Sequence, residues 1–102
     1  MPKYLFAYYG GMVAETPAAQ KKSMDAWMGW FGKLGKAVVD VGAPTKPGKT
    51  VSSAGARATG ANAVTGYSII KANSMGAAVN LAKGCPSIPE GGKVAVYEIL
   101  PM

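Results

Sequence analysis

No histidine occurs among the 102 residues, so the commonest general base is missing and any proton transfer must fall to five carboxylates, one thiol and the hydroxyl groups. Glu98 is the carboxylate to weigh first. It sits inside an apolar strand-like run, KVAVYEIL, where burial would raise its pKa toward a value useful for general acid/base catalysis; at an exposed strand end it would instead pair with a lysine or a tyrosine hydroxyl. Asp25 falls on the polar face of a helix and Asp40 at the start of a loop, both solvated positions. Cys85 follows a helix C-terminus, where the negative end of the dipole disfavours a thiolate, so it reads as a small buried hydrophobe. One thiol and scattered carboxylates make no zinc or iron site of ordinary composition, and no cofactor is expected.

Aromatic and hydroxyl groups are the better candidates for ligand contact. Tyr8, Trp27, Trp30 and Tyr67 could line a pocket or simply fill the core, and Trp30 lies about a quarter-turn off the apolar stripe of its helix, which suggests a rim, a pocket mouth or a dimer seam. Ser68, polar in an otherwise apolar strand, would offer its hydroxyl to a bound molecule or to a neighbouring backbone carbonyl. The glycine pairs at 10 and 11 and at 91 and 92 suggest turns. Neither has the lysine and hydroxyl of a phosphate loop or a dinucleotide fingerprint.

The elements that must hold these residues are legible at both ends. Lys3–Tyr9 is β-prone and apolar on both faces of a period-two pattern, as a central strand requires, and Gly10 and Gly11 close it. Thr16 and Pro17 then start a helix of about five turns. Its apolar stripe is Met24, Trp27, Met28, Phe31, Leu34 and Val38, with Lys22, Asp25, Lys33 and Lys36 opposite. Residues 41–63 are rich in Gly, Ala, Pro, Ser, Thr and Lys and predict long loops around one edge strand at 49–54. Residues 64–72 form a strand with Tyr67, Ile69 and Lys71 on one face and Ser68 and Ile70 on the other. Ser74 caps a second helix whose buried stripe is Met75, Ala78, Val79 and Ala82; Gly84 supplies a left-handed terminus and Pro86 prevents continuation. A last strand covers 93–100.

Bulk properties narrow the class. The length suits one domain spanning residues 1–102, and no apolar run approaches the roughly 20 residues that cross a bilayer. A net charge of +6 is carried by dispersed lysines and a single arginine, a solvated surface rather than a nucleic-acid interface. No signal peptide is evident, and a lone cysteine fits a reducing cytoplasm.

The order βαββαβ predicts an α+β, ferredoxin-like antiparallel sheet with both helices on one face. Two helices cover only one side, yet the first and last strands are apolar on both. The expected solution is a homodimer in which two sheets pack face to face.

Five segments in this order and spacing carry a resemblance. They are YLFAYYGG; W-x-x-W-F-x-x-L-G from Trp27 to Gly35; TGYSII from Thr65 to Ile70; S-x-x-x-A-x-x-L-A-K-G-C-P from Ser74 to Pro86; and G-G-x-V-x-V-Y-E-I from Gly91 to Ile99. Together they resemble the YCII-related family of dimeric α/β barrels, well at both ends and poorly in the middle. The resemblance implies a ferredoxin-like fold, a dimer, a pocket between helices and sheet in each subunit, and an enzyme activity on a small molecule that is undefined for most members. Some relatives pair a histidine of the first helix with an aspartate, and a sister group carries an aspartate-glycine-proline-phenylalanine motif before its third strand; this chain has neither. Two functions follow from this reading. One is a small-molecule-binding barrel, with weak or divergent chemistry, whose pocket holds Tyr8, Trp27, Trp30, Tyr67, Ser68 and Glu98. The other is a non-catalytic homodimeric binding or regulatory module.

Overall fold

A computed structural model describes residues 1–10, 16–60 and 63–101. Gly11, read above as part of a turn, lies outside the described residues. Strand β1 (Lys3–Tyr9) is central: it pairs antiparallel with β5 (Val64–Lys71) on one side and with β6 (Lys93–Glu98) on the other. Strand β2 (Val38–Pro44) completes a four-stranded sheet of order β2-β5-β1-β6, while β3 (Lys49–Ser52) and β4 (Gly55–Ala58) form a separate two-stranded hairpin. Helix α1 (Pro17–Leu34) connects β1 to β2, and α2 (Met75–Ala82) connects β5 to β6. This is the ferredoxin-like βαββαβ order with a hairpin set between its second and third core strands.

Alternation along β1 sorts the sheet's two faces. Tyr4, Phe6 and Tyr8 are buried with Ile70, Trp30, Ala78 and Ala82 in one core beneath the helices, and Val94 and Val96 of β6 pack against it. Leu5, Ala7 and Tyr9 project to the opposite face, beside Ile69, Tyr67, Tyr97 and Ala95 in register.

Helix α1 starts where its capping chemistry places it. The Thr16 hydroxyl accepts the Ala19 N–H at 3.1 Å and Pro17 occupies the first turn. Its inward arc differs from the expected stripe, for Met24 and Met28 are 67% and 66% exposed whereas Trp30 is only 5% exposed. Trp30 is therefore core, not rim. The reason is rotational: Trp27, Trp30, Phe31 and Leu34 all pack against the core, so the arc centres near Trp27 and Leu34, and Met28 stands about 100° round from Trp27. Val38, assigned above to the helix stripe, begins β2 after a short 3₁₀ turn at Gly35–Ala37.

In α2 the Ser74 hydroxyl caps the Ala77 N–H at 3.1 Å, as expected. Ala78 and Ala82 face the sheet, but Met75 and Val79 turn partly outward and the half-buried Ala77 and Leu81 take their place. Gly84 is not left-handed. Its lack of a side chain serves another purpose, since a Cβ there would lie 3.1 Å from the Trp30 Nε1.

The edge strand is the other correction. Residues 49–54 do not join the sheet; the edge is VVDVGAP, a sequence whose Asp, Gly and Pro hide its strand character. Those residues make a bulge, where the pairing with β5 shifts register between Asp40 and Ala43. The Asp40 carboxylate accepts the Gly42 N–H at 2.8 Å, and Gly42 has a φ of +77°. A Cβ on Gly42 would collide with the Tyr67 carbonyl oxygen. Gly42→Ala is accordingly expected to destabilise the fold by about 2–4 kcal/mol, from positive-φ strain and the backbone clash together. Urea titration of the variant checks this, and a loss below about 0.5 kcal/mol would show that the bulge is not constrained as described.

Candidate functional site

Near the Tyr9 end of the sheet, three elements converge on two hydroxyls. Tyr8 of β1 and Ser68 of β5 point toward the helices, and the Tyr8 hydroxyl donates to Ser68 Oγ at 2.8 Å. The Ser68 hydroxyl in turn donates to the Val41 carbonyl at 2.6 Å. That carbonyl belongs to the β2 bulge, immediately before Gly42. Gly66 keeps the space beside them open: a Cβ there would crowd the Ala43 carbonyl at 3.1 Å and touch the Tyr8 ring at 3.5 Å.

Aromatic rings wall this pair. The Trp27 ring stands edge-on to Tyr8 at 4.9 Å and to Trp30 at 5.7 Å; Trp30 packs 5.1 Å from Phe31 and 6.3 Å from Phe6. The Trp30 N–H donates to the Leu81 carbonyl at 3.3 Å. Below them Cys85 is buried, its Sγ 3.2 Å from Ser87 Oγ.

Electrostatically the cluster holds its protons. Burial pushes the Tyr8 hydroxyl well above the ordinary tyrosine range, and the nearby Cys85 adds to the rise although the Ser68 hydrogen bond works against it. Burial also pushes the Cys85 thiol up, partly offset by its hydrogen bonds with Ser87. Neither group is a base at neutral pH. The arrangement donates and accepts hydrogen bonds, and its donors are already engaged within the protein.

Of the six expected site residues, Tyr8, Trp27, Trp30 and Ser68 come together, and Ser68 bonds to a backbone carbonyl, one of the two partners weighed for it. Tyr67 does not join them. It is the neighbour of Ser68 in an extended strand, so its side chain leaves by the opposite face, 37% exposed and in register with Ala7 and Ala43. Glu98 is exposed, not buried, because it ends the edge strand β6. It pairs in register with Tyr4, about 13 Å along β1 from Tyr8 at the usual rise per residue. Its carboxylate does act on Tyr4, whose hydroxyl pKa is raised first by burial and second by Glu98.

Sequence reasoning missed two features. The first is the Val41 carbonyl as terminus of the hydroxyl chain, for which the Asp-x-Gly spacing of an Asx turn was the available signal. The second lies at the other end of the sheet, where an open groove of about 510 Å³ is lined by Met1, Lys36, Ala37, Lys71, Ala72, Asn73, Ala77, Asn80 and Leu81. Alanines and Leu81 give it apolar walls, two lysines and two asparagines supply cations and amides, and no carboxylate lines it. No periodic signal marks it, because it is assembled from the 3₁₀ turn, the end of β5 and one face of α2. Among the described residues no three histidine, cysteine, aspartate or glutamate side chains gather to hold a metal ion, and no helix is long and apolar enough to cross a membrane.

Comparison with known proteins returns one result. The family model described as the YCII-related domain matches residues 2–102. No curated protein and no solved structure matches the chain.

Because Tyr8 binds its proton more tightly folded than unfolded, its contribution to stability is fully present below the unfolded pKa near 10 and is lost as pH rises through the folded value. Unfolding free energy should therefore fall above about pH 10. Tyr8→Phe should cost about 1 kcal/mol at pH 7 and flatten that alkaline fall without abolishing it, since Tyr4 and Tyr9 are also raised. Denaturant titrations of both proteins between pH 7 and 11 measure this; identical slopes would show that Tyr8 is not held protonated by the fold.

Proposed function

The chain belongs to the YCII-related family, and from that premise we propose that it is a homodimer that binds a small organic anion in the groove between the 3₁₀ turn, β5 and α2, without acid/base catalysis of its own. The composition of the groove carries the reading. Apolar walls suit the body of a small organic acid, while Lys36, Lys71, Asn73 and Asn80 suit a carboxylate or a similar anion, and no acidic residue opposes it. Its volume lies within the range of small-molecule sites.

Catalysis is set aside on chemical grounds. The hydroxyl pair is internally bonded and protonated, Glu98 is exposed and far along the strand from it, and the chain has no imidazole. The homodimer rests on the open sheet face, where Leu5, Ile69, Tyr67, Tyr97 and Ala95 would otherwise meet water. A second reading puts the ligand beside Tyr8 and Ser68; the observation in its favour is that Trp27, in the aromatic wall, is only partly buried.

A panel of aliphatic and aromatic carboxylates, each with its neutral amide, separates the two. Thermal shift and calorimetry should find binding for at least one carboxylate and none for its amide. Lys36→Glu should weaken it by tenfold or more, about 1.4 kcal/mol, with Trp27→Phe unchanged. Loss on Trp27→Phe but not on Lys36→Glu would move the site to the aromatic wall, and no shift across the panel would remove the small-anion reading.

A further inference from the structure

Hairpin β3–β4 forms its own two-stranded sheet and contributes no residue to the groove. Every one of its eight strand residues is exposed. It is nevertheless held at its root: the Thr45 N–H donates to the Thr65 carbonyl at 2.9 Å, the Thr45 hydroxyl to the Val64 carbonyl at 2.8 Å, and the Thr59 N–H to the Gly48 carbonyl at 3.2 Å. The β2–β5 ribbon thus runs on past the Tyr9 end of the sheet as a two-stranded arm. Its register gives it two unlike faces. Val51, Ala56 and Ala58 share one with Lys49, while Thr50, Ser52 and Arg57 share the other. Val51 is 77% exposed.

Isolated two-stranded hairpins are marginal in water, so a rooted arm with an apolar stripe calls for something to lie against. Area supports the same conclusion. A folded monomer of 10.4 kDa exposes about 5,400 Å² by the usual scaling, whereas this chain exposes 7246 Å², an excess of about 1,800 Å². Its radius of gyration, 14.6 Å, also exceeds the roughly 13 Å of a compact chain this long. The open face of four strands spans only about 19 by 20 Å, a plane of about 400 Å², and falls well short of that excess. A standard interface buries about 800 Å² per partner, so surface beyond the sheet must also be covered.

We infer that the β3–β4 hairpin is a dimerisation arm, and that the Val51, Ala56 and Ala58 stripe of each copy packs on the open sheet face of a second copy of this chain. The inference rests on the homodimer reading above and adds the partner surface. A two-fold arrangement closes it, because each copy supplies one arm and one face and leaves neither unmatched.

Sedimentation equilibrium tests it on three variants: Val51→Asp, a shortened chain in which an Asn-Gly turn replaces residues 50–57, and Tyr97→Asp on the sheet face, each checked for native circular dichroism. All three should raise the dimer dissociation constant at least tenfold. If Tyr97→Asp dissociates the dimer while the two arm variants do not, the arm assignment falls and the face-to-face dimer stands. A wild-type monomer at micromolar concentration removes both. Should a variant misfold, a photo-crosslinker at position 51 in dimers mixed from ¹⁴N and ¹⁵N chains gives an independent result. Links between chains to residues 3–9, 64–71 or 93–98 support the arm, and links within one chain only overturn it.

Discussion

Trp30 is the contact on which the layers of this protein depend. Its indole N–H reaches from α1 to the Leu81 carbonyl of α2, its ring stacks over Phe6 of the central strand, and Tyr8 and Phe31 close around it. A tryptophan buries more apolar area than any other side chain, and here one residue ties both helices to the sheet. Small residues make the approach feasible. Ala78 and Ala82 let α2 sit close, and Gly84 leaves the volume that the indole occupies.

The bulge of β2 is the second constraint, and it couples backbone to site. Asp40 draws in the Gly42 N–H, Gly42 adopts a conformation that a side chain would forbid, and the Val41 carbonyl accepts the Ser68 hydroxyl. Ser68 Oγ in turn accepts the hydrogen bond of the Tyr8 hydroxyl, so two buried hydroxyls are satisfied without water. An edge strand with a local fault thereby completes the polar interior of a sheet that is otherwise apolar beneath its helices. The same edge continues into the β3–β4 ribbon, whose exposed stripe and rooted base set it apart from an ordinary surface loop.

Burial holds the Tyr8 hydroxyl and the Cys85 thiol protonated, and both are engaged in hydrogen bonds within the interior. The groove at the opposite end combines apolar walls with two lysines and two asparagines.

Residue order alone determined the strands at both ends, the two helix caps and the family, because those depend on local periodicity and on hydrogen bonds spanning three residues. Tertiary structure decided what depends on rotation and on distant partners. Trp30 turned inward because α2 and Phe6 wait there; Tyr67 left the site because an extended strand sends neighbours to opposite faces; Glu98 stayed in water because it ends an edge strand. The sheet edge at Val38–Pro44 was hidden for a related reason, since its pairing is stabilised by β5 and a glycine bulge rather than by its own propensity. No local pattern in a chain can record which residues another segment will come to cover.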